Sequence, residues 1–292
     1  MEDQARFKST RAAGLDFDSL PMRLWQKAKR LGIWDPAQID FSVDREQWQT
    51  FDDGQKEVLL HLSSLFIAGE EAVTLDLLPL IQVIAEEGRI EEEMYLTSFL
   101  WEEAKHVEAF RIFLDVVAEE STDLSRFYGE NYRILFEKEL PTALNNLRQD
   151  SSPVAQARAS VTYNLIVEGV LAETGYHGYF EMLEKNDVLP GMRKVVGKLK
   201  QDESRHLAYG VHLLSRLVAE HGEEVWEAIE TRMNELFPIA LGMIDEVFEC
   251  YDPVPFELDK NMFIEFASAQ FQKRYQRVES AREQSLEEIA KT

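Results

Sequence analysis

The chain has one cysteine, Cys250, in 292 residues. That excludes an intramolecular disulfide framework and a cysteine-rich zinc module. Glycine and proline are scarce too, at 14 and 9 residues, which leans towards long helices. Positive charge is short: 31 Lys and Arg face 54 Asp and Glu, for a formal net charge of -23. Such a surface disfavours nonspecific binding to nucleic acid or an anionic membrane. No run approaches the roughly 18 uninterrupted apolar residues of a membrane span, so none is expected. The first residues, Met1-Glu2-Asp3-Gln4, lack the apolar centre of a signal peptide, and a cytoplasmic location is the default expectation.

What the chain does have is helical periodicity. Residues 1–42 read as an irregular lead-in. Within it, Leu20-Pro21-Met22-Arg23-Leu24-Trp25 starts a short amphipathic turn, and Asp35-Pro36 has the form of an N-cap before a helical proline. From Asp52 to about Glu86, apolar residues recur three and four apart, with a kink predicted at Pro79. Gly88 breaks the chain before a second amphipathic helix, Glu91 to Ala118. A third runs from a cap at Ser121–Asp123 to about Leu147, kinked at Pro141, and a fourth from Ser151-Ser152-Pro153 to about Leu183. The fifth spans Met192 to Ala219 and ends at Gly222; two more follow, near Glu223–Cys250 and Asp259–Glu288. No segment reads as a strand and no linker is long enough to divide the chain. The expectation is one all-α domain, 1–292, with its helical core in residues 43–288.

Two stretches echo each other inside that pattern. Trp101-Glu102-Glu103-Ala104-Lys105-His106 and Gln201-Asp202-Glu203-Ser204-Arg205-His206 each place a glutamate three residues before a histidine. At helical pitch both side chains of each pair reach a common point. In so acidic a chain about one such pair is expected by chance, so the pairs alone decide little. Glu70 and Glu168 are more telling, because each interrupts an apolar run, where a lone carboxylate is unfavourable unless paired or metal-bound. Glu70 and Glu168 are 98 residues apart, and the two Glu-x-x-His pairs 100. Each half therefore reads Glu, then Glu-x-x-His, at the spacing of one antiparallel helix pair. This is the ligand set of dinuclear carboxylate bundles: Glu70, Glu103, His106, Glu168, Glu203 and His206. Four carboxylates balance two divalent cations, which suits iron or manganese and O2 activation rather than hydrolysis. Without a metal, Glu103 and Glu203 would read as solvated helix faces and the histidines as core groups. Glu71, Glu102, Glu173 and His177 fit the repeat less well and read as surface or supporting groups. Asp202 is placed to accept from a ligand imidazole and fix its tautomer.

With those residues in place, the chain from about 20 to 280 resembles the ferritin-like superfamily, specifically the ribonucleotide reductase small subunit and its relatives. The fold implied is a ferritin-like four-helix bundle with additional helices. Ser19-Leu20-Pro21-Met22-Arg23-Leu24-Trp25, Ala68-Gly69-Glu70-Glu71-Ala72-Val73 and Tyr163-Asn164-Leu165-Ile166-Val167-Glu168-Gly169 resemble the R-two-like ligand-binding oxidases in particular. Two departures separate the chain from a radical-supplying subunit. Phe110 stands where a radical tyrosine is usual, although a Mn/Fe subclass of that subunit also has Phe there, and the tail from Ser280 to Thr292 has no tyrosine. The oxidase resemblance implies a tyrosine–valine ether between Tyr163 and Val73. Read without it, these are a buried tyrosine and a core valine. It also implies Mn at Glu70, Glu103 and His106 with Fe at Glu168, Glu203 and His206, or two Fe, with O2 as oxidant. A long-chain fatty acid, a homodimer and an electron donor of unknown identity complete the expectation. Phe99, Phe110, Tyr176, Tyr179 and Phe180 are candidate tunnel residues, equally explained by core packing. The rival readings are a Mn/Fe radical subunit of the reductase, an iron-storage protein, and a non-catalytic helical scaffold.

Overall fold

Helices begin where side chains satisfy the first backbone amides. The computed structural model describes residues 7–10, 12 and 14–291, and no strand occurs among them. Met1 to Gln4 lie outside the described residues. The lead-in is more regular than its sequence suggests: α1 (Leu20–Leu31) is a 12-residue helix that packs on the helices Ile90–Phe113 and Pro190–His221. Its buried face of Pro21, Met22, Leu24 and Ala28 explains why: this is a core helix whose apolar stripe is only three turns long. Asp35 caps a short 3-10 turn at Pro36–Gln38, and α2 (Ser42–Trp48) follows.

The long amphipathic stretch is α3 (Asp53–Asp76) and α4 (Leu78–Glu86). Asp52 and Gln55 cap its start reciprocally. Leu77 keeps helical angles, φ -67° and ψ -27°, while Pro79 removes a ladder hydrogen bond, as the kink predicts. Gly88, at φ 72°, then makes the turn into α5 (Ile90–Phe113), which folds back along α3. After two short helices, α6 (Glu130–Arg133) and α7 (Leu140–Asn146), Ser152 caps α8 (Pro153–Ser160). The fourth predicted helix is continuous but not uniform. A π-helical stretch, Val161–Ala172, links α8 to α9 (Glu173–Tyr179). Then come α10 (Pro190–His221), a turn at Gly222 (φ 73°), α11 (Glu223–Glu249), α12 (Lys260–Glu279) and α13 (Leu286–Lys291).

Four rods form the centre: α3–α4, α5, the 161–172 stretch with its flanking helices, and α10. Both α11 and α12 pack on the 161–172 stretch. Two apolar clusters fill the interior, one holding Val73, Phe99, Val170 and Tyr209, the other Phe66, Phe110, Tyr176 and Leu199. Along every rod, the predicted metal-site residues lie between a member of one cluster and a member of the other. Each fully buried Phe or Leu in these plugs stabilises the fold by about 1.5–3 kcal/mol, and together they flank the polar layer between them. The segment 53–86 is long and apolar enough to cross a membrane by length and composition, although half of its most apolar window is buried in the protein. That burial is where it delivers Glu70 to the interior.

Candidate metal centre

Those four rods bring all six predicted side chains together. Ligand atoms of Glu70, Glu103, His106 and Glu203 lie within 4.8 Å of one another, and so do those of Glu103, Glu168, Glu203 and His206. The six are not divided three and three. Glu103 and Glu203, the glutamates of the two Glu-x-x-His pairs, belong to both groups, which is the placement of bridging carboxylates. Glu70 and Glu168 serve one group each.

Both histidines turn the same way. Nδ1 of His106 faces Glu70, Glu103 and Glu203 at 3.4, 3.5 and 3.3 Å. Nδ1 of His206 faces Glu103, Glu203 and Glu168 at 3.1, 3.3 and 3.8 Å. The outer nitrogens meet acids of the opposite helix: His106 Nε2 is 3.3 Å from Asp202 Oδ2, and His206 Nε2 is 2.9 Å from Glu102 Oε2. With Nε2–H donated outward, each Nδ1 lone pair is free to point inward. Arg205 ties the two acids together, donating to Glu102 Oε1 at 2.7 Å and Asp202 Oδ1 at 2.5 Å. Asp202 also accepts from Trp34 Nε1 at 2.7 Å and Lys105 Nζ at 3.2 Å. The expected role of Asp202 is thus met geometrically. Glu102 is fully buried and is its counterpart rather than a surface group, whereas Glu71 is exposed and Glu173 and His177 are half-buried.

The layer fits two cations. Buried Glu103 Oε2, Glu168 Oε1, Glu203 Oε2 and His206 Nδ1 have no hydrogen-bond partner, a set of donors that only a cation or protons can satisfy. Protons take up part of that demand. Burial pushes Glu70 and Glu168 well above the usual carboxylate range, with neighbouring Glu203 adding to the effect on Glu168. Burial alone would lower both histidines, but Glu70 beside His106, and Glu203 and Glu103 beside His206, raise them well above their ordinary value. Two divalent ions would displace these protons and leave a neutral layer. Among the described residues, this is a buried carboxylate–histidine cluster able to bind two metal ions.

The π-helical stretch carries Tyr163 and Glu168. Its i to i+5 closure brings residues five apart nearer to one face than an α-helix does. Tyr163 Oη donates to Glu103 Oε1 at 3.1 Å, while Asn164, held by Ser160 Oγ at 2.8 Å, donates to Glu168 Oε2 at 3.0 Å. Gly210 makes room: a Cβ there would stand 2.2 Å from that of Asn164. Burial and the nearby Glu103 keep the Tyr163 phenol protonated, its pKa well above the usual range.

An apolar cavity of about 150 Å3 opens on Glu70, Glu103, Glu168 and Glu203. Val73 lines it, together with residues of α3, α11 and the 161–172 stretch. None of the five predicted tunnel aromatics does. Phe99 stacks on His206 with centroids 3.6 Å apart, Phe110 and Tyr176 stack on Phe66, Tyr179 bonds Ser63, and Phe180 is 48% exposed. The first four rings pack the layers around the site. The wall is instead formed by Phe66, Phe136, Met182, Met243, Phe248 and Phe263 among others, drawn from helices whose alignment periodicity alone does not give.

Known proteins carry the same architecture. The family described as ribonucleotide reductase, small chain, matches residues 22–281. An R2-like ligand-binding oxidase from Sulfolobus acidocaldarius is 39% identical at TM-score 0.89, covering 97% of this chain and 98% of that one. A valine-to-leucine variant of an R2-like ligand-binding oxidase, with aerobically reconstituted Mn/Fe cofactor, is 37% identical at TM-score 0.85, covering 90% and 94%. A tyrosine-to-phenylalanine variant with the same cofactor is 36% identical at TM-score 0.87, covering 93% and 97%. The chain belongs to the ribonucleotide reductase small-chain family and, within it, to the R2-like ligand-binding oxidases.

Proposed function

We propose that the chain is an O2-dependent oxidase that removes two electrons from a C–H bond, with Mn and Fe held by Glu70, Glu103, His106, Glu168, Glu203 and His206. The observation that carries this reading is the set of unpaired ligand atoms buried at the mouth of an apolar cavity. The metals, when bound, would supply the site of O2 reduction and two of the four electrons needed to reach water. The residues supply the rest. Tyr163 holds a proton on Oη beside Glu103, and Val73 offers a C–H bond on the cavity wall. Joining them breaks Tyr163 O–H and Val73 Cβ–H, forms one C–O bond, and releases two protons and two electrons to the O2-derived oxidant. Glu103, already accepting from Oη, is placed to receive the phenolic proton. The plugs of Phe66, Phe110 and Phe99 exclude water, so the oxidising equivalents meet these groups rather than solvent.

The ligand in this reading is a long-chain fatty acid or similar amphiphile, its carboxylate towards the metals and its tail in the cavity. A free volume of about 150 Å3 suits a benzene-sized guest. A long tail therefore requires the wall to open, and Met182 and Met243 are adaptable side chains for that. The protein is further proposed to act in the cytoplasm as a homodimer, reduced by a separate electron donor. The test is peptide mapping after aerobic loading with Mn and Fe: a linked Tyr163–Val73 peptide pair, lighter by two hydrogen atoms, is expected. Stoichiometric metal retained by both Glu103→Ala and His206→Ala would overturn the metal assignment.

A further inference from the structure

A second cavity lies on the side of α10 turned away from the carboxylates. Its volume is about 590 Å3, within the range of small-molecule sites. Its charge is opposite to that of the whole protein. In a chain with 54 acidic and 31 basic residues, the described residues lining it include Lys273, Arg274, Arg277 and His212, and no carboxylate. All three cations come from α12. None of them enters an ion pair or a side-chain hydrogen bond among the described residues.

Arg274 is the decisive group. It is only 4% exposed, and its Nε has no hydrogen-bond partner. Glu173 is near enough for its charge to be felt, yet makes no ion pair with it. A guanidinium is always charged in a protein, and one largely withdrawn from water without a paired countercharge is unfavourable. The arginine stem is fixed: its Cγ would lie 3.4 Å from a Cβ built on Gly169. Nδ1 of His212, on the opposite wall, is a second buried atom without a partner. Leu207 and Val211 add an apolar surface between these polar groups.

We propose that this cavity binds a small organic anion, its carboxylate or phosphate head against Arg274 and flanked by Lys273 and Arg277, its body on Leu207 and Val211. The planar fork of Arg274 suits either head. The site is distinct from the metal-facing cavity and stands whether or not the oxidase reading holds. The test is calorimetric titration of the metal-loaded protein at low ionic strength with inorganic phosphate and, separately, with hexanoate. One-to-one binding of at least one probe is expected, weakened about tenfold or more in Arg274→Gln and in the exposed Arg277→Gln. Binding of phosphate alone assigns a phosphorylated ligand, and of hexanoate alone a carboxylate. Arg274→Gln should also raise the unliganded melting temperature, because it removes an uncompensated charge. Absence of binding at millimolar concentration, or equal binding by wild type and both variants, would overturn the proposal. So would a lower melting temperature in Arg274→Gln with anion binding unchanged.

Discussion

Asp202 Oδ2 lies 3.3 Å from Nε2 of His106, a histidine 96 positions away and on another helix. Glu102 makes the matching contact to His206. Each acid stands one residue before a glutamate of the cluster, yet orients the imidazole of the opposite half. Because the contacts are crossed, the two halves should respond separately. Asp202→Asn is expected to lower metal affinity about 10- to 100-fold in the group containing Glu70 and His106. Glu102→Gln should do the same for the group containing Glu168 and His206. Chelator competition gives the affinities, and anomalous diffraction from partly loaded crystals gives the positions. Wild-type affinity in both variants would mean that the crossed contacts do not orient the ligands.

Tyr163 separates the proposed crosslink from metal binding. Its hydroxyl makes one hydrogen bond, to Glu103, so Tyr163→Phe should cost about 1 kcal/mol of stability and leave the cluster intact. After aerobic loading, the variant's intact mass should equal that of its sequence, with two metals per chain still present. A two-hydrogen mass deficit persisting in Tyr163→Phe would place the oxidation elsewhere.

Glu70 and Glu168 were legible because a carboxylate in an apolar run is unfavourable wherever it sits, and that holds before any fold is known. The helix ends were legible for a related reason: Asp52, Ser152, Gly88 and Gly222 act on backbone next to them. Glu102 was not. Its sequence position says that it is near Glu103, but only the approach of α10 shows that it faces His206 and Arg205. The π-helical stretch around Tyr163, against which α10, α11 and α12 pack, is likewise not announced by apolar periodicity. Cavity walls are harder still, since Met243 and Phe248 on α11 meet Val73 on α3 through a juxtaposition that no single helix records.

Ala172 tests that cavity without replacing a cluster residue. It lines the wall in the same helical stretch as Glu168, and its side chain is a single methyl. Ala172→Phe places a ring in a space of about 150 Å3, so it should fill rather than overpack and cost less than about 1–3 kcal/mol. If the proposed amphiphile co-purifies with the wild type, solvent extraction and mass spectrometry should find less of it in the variant, with metal content unchanged. Full ligand occupancy in the variant would show that the tail runs elsewhere.

Two other histidines predict how stability depends on pH. Burial lowers His61 to about 4 and His212 to about 4, with Arg216 adding to the effect on His212. In the unfolded chain both return to about 6.5. Between these values the unfolded state binds the extra protons, so stability rises with pH. The contribution is complete above about 6.5 and lost as pH falls towards 4, at about 1.4 kcal/mol per pH unit for each histidine. His61 also bonds Tyr251 at 3.0 Å and stacks on Phe127, so its replacement weakens the fold at every pH. The informative quantity is therefore the slope rather than the level. Urea unfolding of the metal-free protein at pH 6.5 and 5, in phosphate-free buffer, should show a loss of about 3 kcal/mol from these two groups. The His61→Gln/His212→Gln double variant should lack that part of the loss, and parallel curves for the two proteins would show that neither histidine is held neutral by the fold.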